Sequence, residues 1–292
     1  MRRIIKILAV FFILGLGIYG FLLYQNNRQV SPVGKEKIAK SYEQSVSWLL
    51  AHREKILRES NPILWWMLGE SARMTHDERV QKLYDEFRAN FDRYAQYSVW
   101  QAHFRPEQFR DAVFSETEYR SLVEYQQYFL YGLTCSKQLA KEPLIQAQHN
   151  PNFCWHGMRI IRPACVTHQL MAYRMAQNIQ CPIEYLDTNI AILQDTIEKQ
   201  LRYDPRVVDV YIQRVLMLVD SGARERINNR WIERVLNAQL ADGGWSHMQP
   251  LIPVGGETYF GFNATAMTFA KPTSNFHATA QGVLLMSLLL QK

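Results

Sequence analysis

Residues 239–245 read QLADGGW, and they separate two helical patterns of different character. Residues 224–240 before them have the one-sided apolar pattern of an outer helix, whereas residues 274–290 are apolar nearly all round, which is typical of a buried helix. Gly243 fits the end of the first helix, because glycine tolerates the positive φ of a C-terminal cap. We therefore predict an outer helix, a tight turn and an inner helix at this end of the chain.

The same alternation extends through the second half of the chain. Residues 183–201 carry one apolar stripe at helical spacing, and the residues after Pro205 leave no polar face. These patterns predict inner helices at 164–179, 205–220 and 274–290, and outer helices at 184–202 and 224–240. Earlier helices are predicted at 36–58, 61–74, 76–97, 116–135 and 136–148. No strand is predicted, and residues 251–272 are expected to form a long loop, so the expected fold class is all-α.

Two short motifs resemble those of known proteins. The Gln-x-x-x-Gly-x-Trp spacing of residues 239–245 resembles the motif repeated in triterpene cyclases, and the NFH triplet at 275–277 is similar to the place where protein prenyltransferases carry a zinc-binding histidine. The resemblance implies an α/α toroid of about five to six helical hairpins over residues 34–292, with Gln239 and Trp245 in structural roles. The prenyltransferase zinc site is not carried over, because no cysteine follows Cys181.

The N-terminus predicts a membrane anchor. Residues 7–24 contain no charge and follow Arg2, Arg3 and Lys6, and eighteen apolar residues are just enough to span a bilayer core. The run ends without a small-residue cleavage site, so we interpret residues 1–25 as an uncleaved signal anchor and 26–33 as a tether. The basic residues before the span favour a cytoplasmic N-terminus. The predicted location is the inner (plasma) membrane, single-pass, with a periplasmic or otherwise extracytoplasmic domain.

The net charge and the cysteine content limit the kinds of partner and the cellular compartment that we expect for this protein. The net charge is +6, and only +3 remains outside the three basic residues before the span, so we expect no nucleic-acid partner. Four clustered cysteines in an oxidising compartment favour two disulfides. A helix of sixteen residues between Cys165 and Cys181 would hold them about 24 Å apart, which excludes that pair and leaves two connectivities open. A zinc site built from Cys154, His156, Cys165 and His168 is the alternative.

Three ionisable residues stand near the starts of the predicted inner helices: His168, Asp209 and His277. In a toroid the inner helices run parallel, so these ends would meet at one mouth of the ring. Two histidines and a carboxylate could act as acid and base, and a divalent metal is a possible cofactor. Buried Arg214 is expected to pair with a neighbouring carboxylate, and Glu70 is a weaker candidate for the cavity wall.

The sequence supports two functions of different classes. The first is a membrane-anchored domain that binds a lipid, glycan or peptide in or on its ring cavity. The second is a hydrolase or lyase that uses His168, Asp209 and His277 at the cavity mouth. The first is favoured because no complete catalytic motif is present in the sequence.

Overall fold

The computed structural model describes residues 2–91, 98–105 and 115–291, and this part of the chain is mostly helical with one small sheet. The α-helices are α1 (Arg2–Asn27), α2 (Lys35–Ala51), α3 (Arg53–Ile56), α4 (Pro62–Thr75), α5 (Glu78–Ala89), α6 (Gln101–Phe104), α7 (Glu116–Ser121), α8 (Glu124–Thr134), α9 (Pro143–Gln148), α10 (Cys165–Asn178), α11 (Leu186–Tyr203), α12 (Asp209–Asp220), α13 (Asn229–Asn237) and α14 (Phe276–Leu290). The strands are β1 (Gln249–Gly255), β2 (Thr258–Phe262) and β3 (Met267–Ala270).

The sheet corrects the prediction of an all-α fold with a long loop at 251–272. The three strands are antiparallel in the order β1-β2-β3, and Phe262 pairs with both Gln249 and Met267. Pro250 and Pro253 obscured β1, because proline is tolerated only where a strand has a free edge. The predicted helix at 116–135 is also two helices, α7 and α8, separated by extended backbone at Leu122 and Val123. Residues 92–97 of the predicted helix 76–97 lie outside the described residues.

The core is formed by helices with no exposed face, as predicted for the second half of the chain. Helix α14 packs against α2, α4 and α12, while α12 packs against α10 and α10 against α8. Helix α11 has buried residues on one stripe and covers α10 and α12 from outside. This distribution follows from the sequence, because a helix that is apolar all round is buried, either in a protein core or in a membrane.

The turn after α13 is held as the QLADGGW motif predicts. The ring of Trp245 is fully buried, and its Nε1 donates to the carbonyl of Val235 at 2.9 Å. The Gln239 amide donates to the carbonyls of Ser41 and Gly243 at 2.9 and 2.7 Å. Gly243 has φ +94°, and a Cβ there would lie 2.8 Å from the carbonyl carbon of Gln44 in α2. Glycine is therefore required by both the backbone conformation and the passing helix.

Two disulfides connect the helices around α10. Cys135 pairs with Cys181, and Cys154 pairs with Cys165. The Cys165–Cys181 pair, which the length of the predicted helix between them excluded, is absent. The structure has one of the two connectivities that remained open. All four cysteines are oxidised, so the zinc site proposed for Cys154 and Cys165 is overturned. Disulfides of this kind are typical of an oxidising, extracytoplasmic compartment.

Helix α1 is long and apolar enough to cross a membrane, and its residues 8–22 are exposed. Its last residues nevertheless contact the domain. Asn26 is fully buried, donates to the carbonyl of Leu201 at 2.7 Å and accepts from the hydroxyl of Tyr211 at 2.8 Å. Asn27 donates to the carbonyl of Arg202 at 2.8 Å. Irregular backbone begins only at Arg28, so the end of the span is joined directly to the domain.

Candidate functional site

The candidate site is a cavity of about 250 Å³ at the N-terminal ends of five helices. Helices α4, α8, α10, α12 and α14 each contribute residues from their first turns, or from the residue just before them. The wall is completed by Ala264, in the turn between β2 and β3. The lining residues are Asn61, Ile63, Leu64, Met67, Tyr125, Phe129, Ala164, His168, Asp209, Val210, Gln213, Ala264 and His277. All five helices therefore begin at this cavity and run away from it.

The structure brings the three sequence-predicted residues together on this cavity. Asp209 is the first residue of α12, His277 is the second of α14, and His168 is the fourth of α10. The start of α14 is fixed by Asn275, whose side chain accepts from the N–H of Ala278 at 2.9 Å. Such capping defines the direction in which the following first-turn side chain leaves the helix. The juxtaposition expected from parallel inner helices is therefore present.

Asp209 and His277 form the closest pair in the cavity. The Nδ1 atom of His277 lies 3.3 Å from Oδ2 of Asp209. The other carboxylate oxygen of Asp209 accepts from the N–H of Val210 at 2.8 Å, and the positive end of the α12 dipole favours an anion at this position. Asp209 is largely shielded from solvent, whereas 43% of the His277 side chain is exposed. The pair thus places a carboxylate behind an accessible imidazole.

His168 lies deeper, against aromatic rings. Its ring centroid is 4.3 Å from that of Tyr125 and 5.6 Å from that of Phe129. Burial lowers the pKa of His168 to about 3, and repulsion from His277 adds to this shift while Asp209 opposes it. Burial disfavours the charged form of an imidazole. His168 is therefore neutral at physiological pH, with a hydrogen-bond donor and an acceptor on its ring.

Two glutamines complete the polar part of the site. Gln213 lies one turn after Asp209, lines the same cavity and accepts from the hydroxyl of Thr167 at 2.9 Å. Gln281 lies one turn after His277, and the two Nε2 atoms are 3.5 Å apart. The Oε1 atom of Gln281 is buried and has no hydrogen-bond partner among the described residues. Gln281 was not predicted, although its spacing of four residues from His277 on one helix face was the available signal.

A second opening adjoins the first and shares His277. It has a volume of about 410 Å³ and is lined by Trp48, Lys55, Ile56, Glu59, His247, Asn275, Phe276 and His277. His247 is exposed there and contacts the Asn275 amide at 3.1 Å. His277 therefore stands between a shielded cavity and an open cleft. A ligand in either space could reach its imidazole.

The remaining candidates are placed elsewhere. Arg214 pairs with Asp204 at 2.9 Å, at the end of α11, which confirms the expected structural role. Glu70 pairs with Arg73 at 2.6 Å and is not among the residues lining the cavity. Within residues 2–91, 98–105 and 115–291, no group of three or more His, Cys, Asp or Glu side chains is spaced to hold a metal ion.

Comparison of the chain with protein-family models, with curated proteins and with solved structures found no match.

Proposed function

We propose that the chain is a single-pass membrane protein of the plasma membrane whose helices 34–292 close into an α/α toroid outside the cytoplasm. Three observations support the ring. Helix α14 packs between α4 and α12, the series continues from α12 through α10 to α8, and the first turns of α4 and α8 face the same cavity. The anchor is supported by the length and composition of α1, and the compartment by the two disulfides.

The function supported best is binding of a small group from a lipid, glycan or peptide in the cavity. The single observation that carries this proposal is the convergence of His168, Asp209 and His277 from three helices on one cavity. Aromatic and aliphatic walls with a few convergent polar groups are typical of small-molecule sites. The wall provides Tyr125 and Phe129 for apolar contact, and it provides His168, Asp209 and Gln213 for hydrogen bonds. Such a cavity suits a group that has both polar and apolar parts.

The experiment is untargeted mass spectrometry of the purified, full-length protein in detergent. Asp209→Asn and His168→Phe preserve side-chain size while removing the charge and the ring nitrogens. His247→Ala is the matched control, because His247 lines only the neighbouring cleft. We expect a co-purified species in the wild type and in the control, and its loss from both cavity variants. Identical extracts from all four proteins would refute binding in this cavity.

The second candidate is a hydrolase or lyase, and the 3.3 Å contact between His277 and Asp209 favours it. A carboxylate facing Nδ1 holds the proton on that nitrogen, which leaves Nε2 as a base. In a hydrolase, Nε2 would take a proton from the attacking water; in a lyase it would take one from carbon. Asp209 would stabilise the imidazolium in both cases. Neutral His168 would orient the substrate through its ring nitrogens.

Turnover of fluorogenic ester, glycoside and peptide libraries tests the enzymatic candidate. Removal of a general base or its carboxylate lowers rates by roughly 100- to 10,000-fold, so Asp209→Asn and His277→Ala should both lose activity while His247→Ala retains it. Equal turnover in Asp209→Asn and wild type would exclude catalysis by this pair. Absence of turnover across all three libraries, together with a retained ligand, would exclude hydrolysis of these three substrate classes and support binding.

A further inference from the structure

One face of the three-stranded sheet carries apolar side chains that are partly or largely exposed. Phe260 lies opposite Ile252 on one side and Phe269 on the other, and Phe262 lies opposite Met267. Residues two apart on a strand share a face, so these five side chains form one surface, here called the apolar sheet face. The rings of Phe260 and Phe269 are 5.2 Å apart, which confirms their common side.

The apolar sheet face is exposed to an unusual degree. Ile252, Met267 and Phe269 have 57%, 66% and 67% of their surface accessible. The other face lies against the domain at Gly261, where a Cβ would lie 2.8 Å from Cε of buried Met248. Contiguous apolar surface of this kind marks contact with a membrane or another protein. This exposure makes the apolar sheet face a candidate contact surface.

The docking of α1 tells which end of the domain is next to the membrane. The hydroxyl of Tyr19 donates to the carbonyl of Tyr203 at 2.6 Å. Tyr19 precedes Asn27 by eight residues, which is about 12 Å along a helix axis. The end of α11 thus lies beside the apolar run of α1 and not beyond it. Tyr19, Tyr24 and Tyr203 are all exposed, and tyrosines are enriched where membrane meets water.

The sheet begins at this same end of the domain. Val207, four residues after Tyr203, donates its N–H to the side-chain oxygen of Gln249 at the start of β1, at 2.7 Å. Arg230 donates to the carbonyl of Gln25 in α1 and lines a cleft with Pro250 of β1. Arg230, which contacts the last residues of α1, therefore lines one cleft with the first residues of the sheet.

We propose that the apolar sheet face is a membrane-contact surface that rests in the lipid interface and holds the cavity mouth at the bilayer. This inference rests on the proposed anchor, since α1 brings the sheet to the membrane. Lipid is the occupant chosen because the sheet begins at the same end of the domain as the docked end of α1. The turn that lines the cavity through Ala264 joins β2 to β3, so the ligand would enter from the membrane surface as part of an amphiphile.

The test uses spin labels on the full-length protein in nanodiscs of phosphatidylethanolamine and phosphatidylglycerol. All four native cysteines are in disulfides, so a single introduced cysteine is a unique labelling site. The test position is Phe269→Cys. Gly17→Cys lies in the middle of α1 with open space around it and reports the span itself. Glu184→Cys is exposed just before α11, which is about 26 Å long from Leu186 to Tyr203, and it reports the opposite end of that helix.

We expect oxygen to relax the label at position 269 more strongly than a water-soluble nickel complex does, as at position 17, and the reverse at position 184. A label at 269 that behaves like the one at 184 overturns the membrane contact, provided that the label at 17 still reports lipid. If the label at position 269 is protected from both reagents, and if a spin–spin distance to the label of a second copy is measured, the face is a dimer interface instead. Loss of the lipid signal at position 17 would overturn the proposed anchor itself.

Discussion

The contact between Trp245 and Gly282 gives the sharpest test of how the C-terminal hairpin is held. A Cβ added at Gly282 would lie 2.5 Å from Cζ3 and 2.9 Å from Cδ2 of the Trp245 ring. These distances are about 1 Å shorter than normal carbon contacts. The indole cannot move aside easily, because it is fully buried and its Nε1 is bonded to the Val235 carbonyl. The ring therefore fits only against a glycine.

Trp245→Ala should lower the free energy of unfolding by about 3–5 kcal/mol, as expected for loss of a fully buried tryptophan. The carbonyl of Val235 also loses its indole donor, which adds to the cost. For a domain of this size, the midpoint of thermal unfolding should fall on the order of 10 °C. Circular dichroism of the detergent-solubilised protein, with heat and with urea, measures both quantities.

The effect of Gly282→Ala on the free energy of unfolding should have opposite signs in the wild type and in Trp245→Ala. In the wild type, overpacking against the indole costs about 1–3 kcal/mol and outweighs the helix preference of alanine, which is about 1 kcal/mol. In Trp245→Ala the space is vacated, so the added methyl group should stabilise the helix. The double-mutant cycle isolates this coupling. If Gly282→Ala had the same effect in both backgrounds, the proposed contact would be refuted.

The remaining predictions concern the disulfides, the site and the anchor. Replacing Cys135 and Cys181 by serine should lower the free energy of unfolding by about 4 kcal/mol, and replacing Cys154 and Cys165 by about 3 kcal/mol. The difference arises because the first disulfide closes the longer loop (sequence separations 46 and 11). Equal losses in urea denaturation would contradict this. Between pH 6.5, the ordinary pKa of histidine, and about pH 3, the pKa of His168 in the folded protein, His168 is protonated in the unfolded chain only. The free energy of unfolding should therefore fall as the pH falls through this range. His168→Gln should make this fall shallower, and an unchanged slope would show that His168 is not the group responsible. A reporter active only in the periplasm should be active when fused to the C-terminus, and cytoplasmic activity would reverse the topology.

The inner and outer helices could be predicted because their signal is local. The one-sided stripe of α11 and the continuous apolar surface of α12 are periodic properties of the sequence itself. The turn at Gly243 and the burial of Trp245 followed from residue types that permit one backbone conformation and one large contact. The candidate residues His168, Asp209 and His277 were found because each stands at the start of such a helix.

The sheet, the disulfide partners and the meeting of the three site residues were decided by tertiary structure. Strand β1 contains Pro250 and Pro253, which oppose a strand in the sequence, and it forms where β2 lies beside it. Two cysteine pairings satisfied helix length equally, and packing around α10 selected one. The 3.3 Å approach of His277 to Asp209 joins residues 68 positions apart. Helix periodicity fixes which face of a segment is buried, whereas the neighbour on that face is set by how the segments pack together.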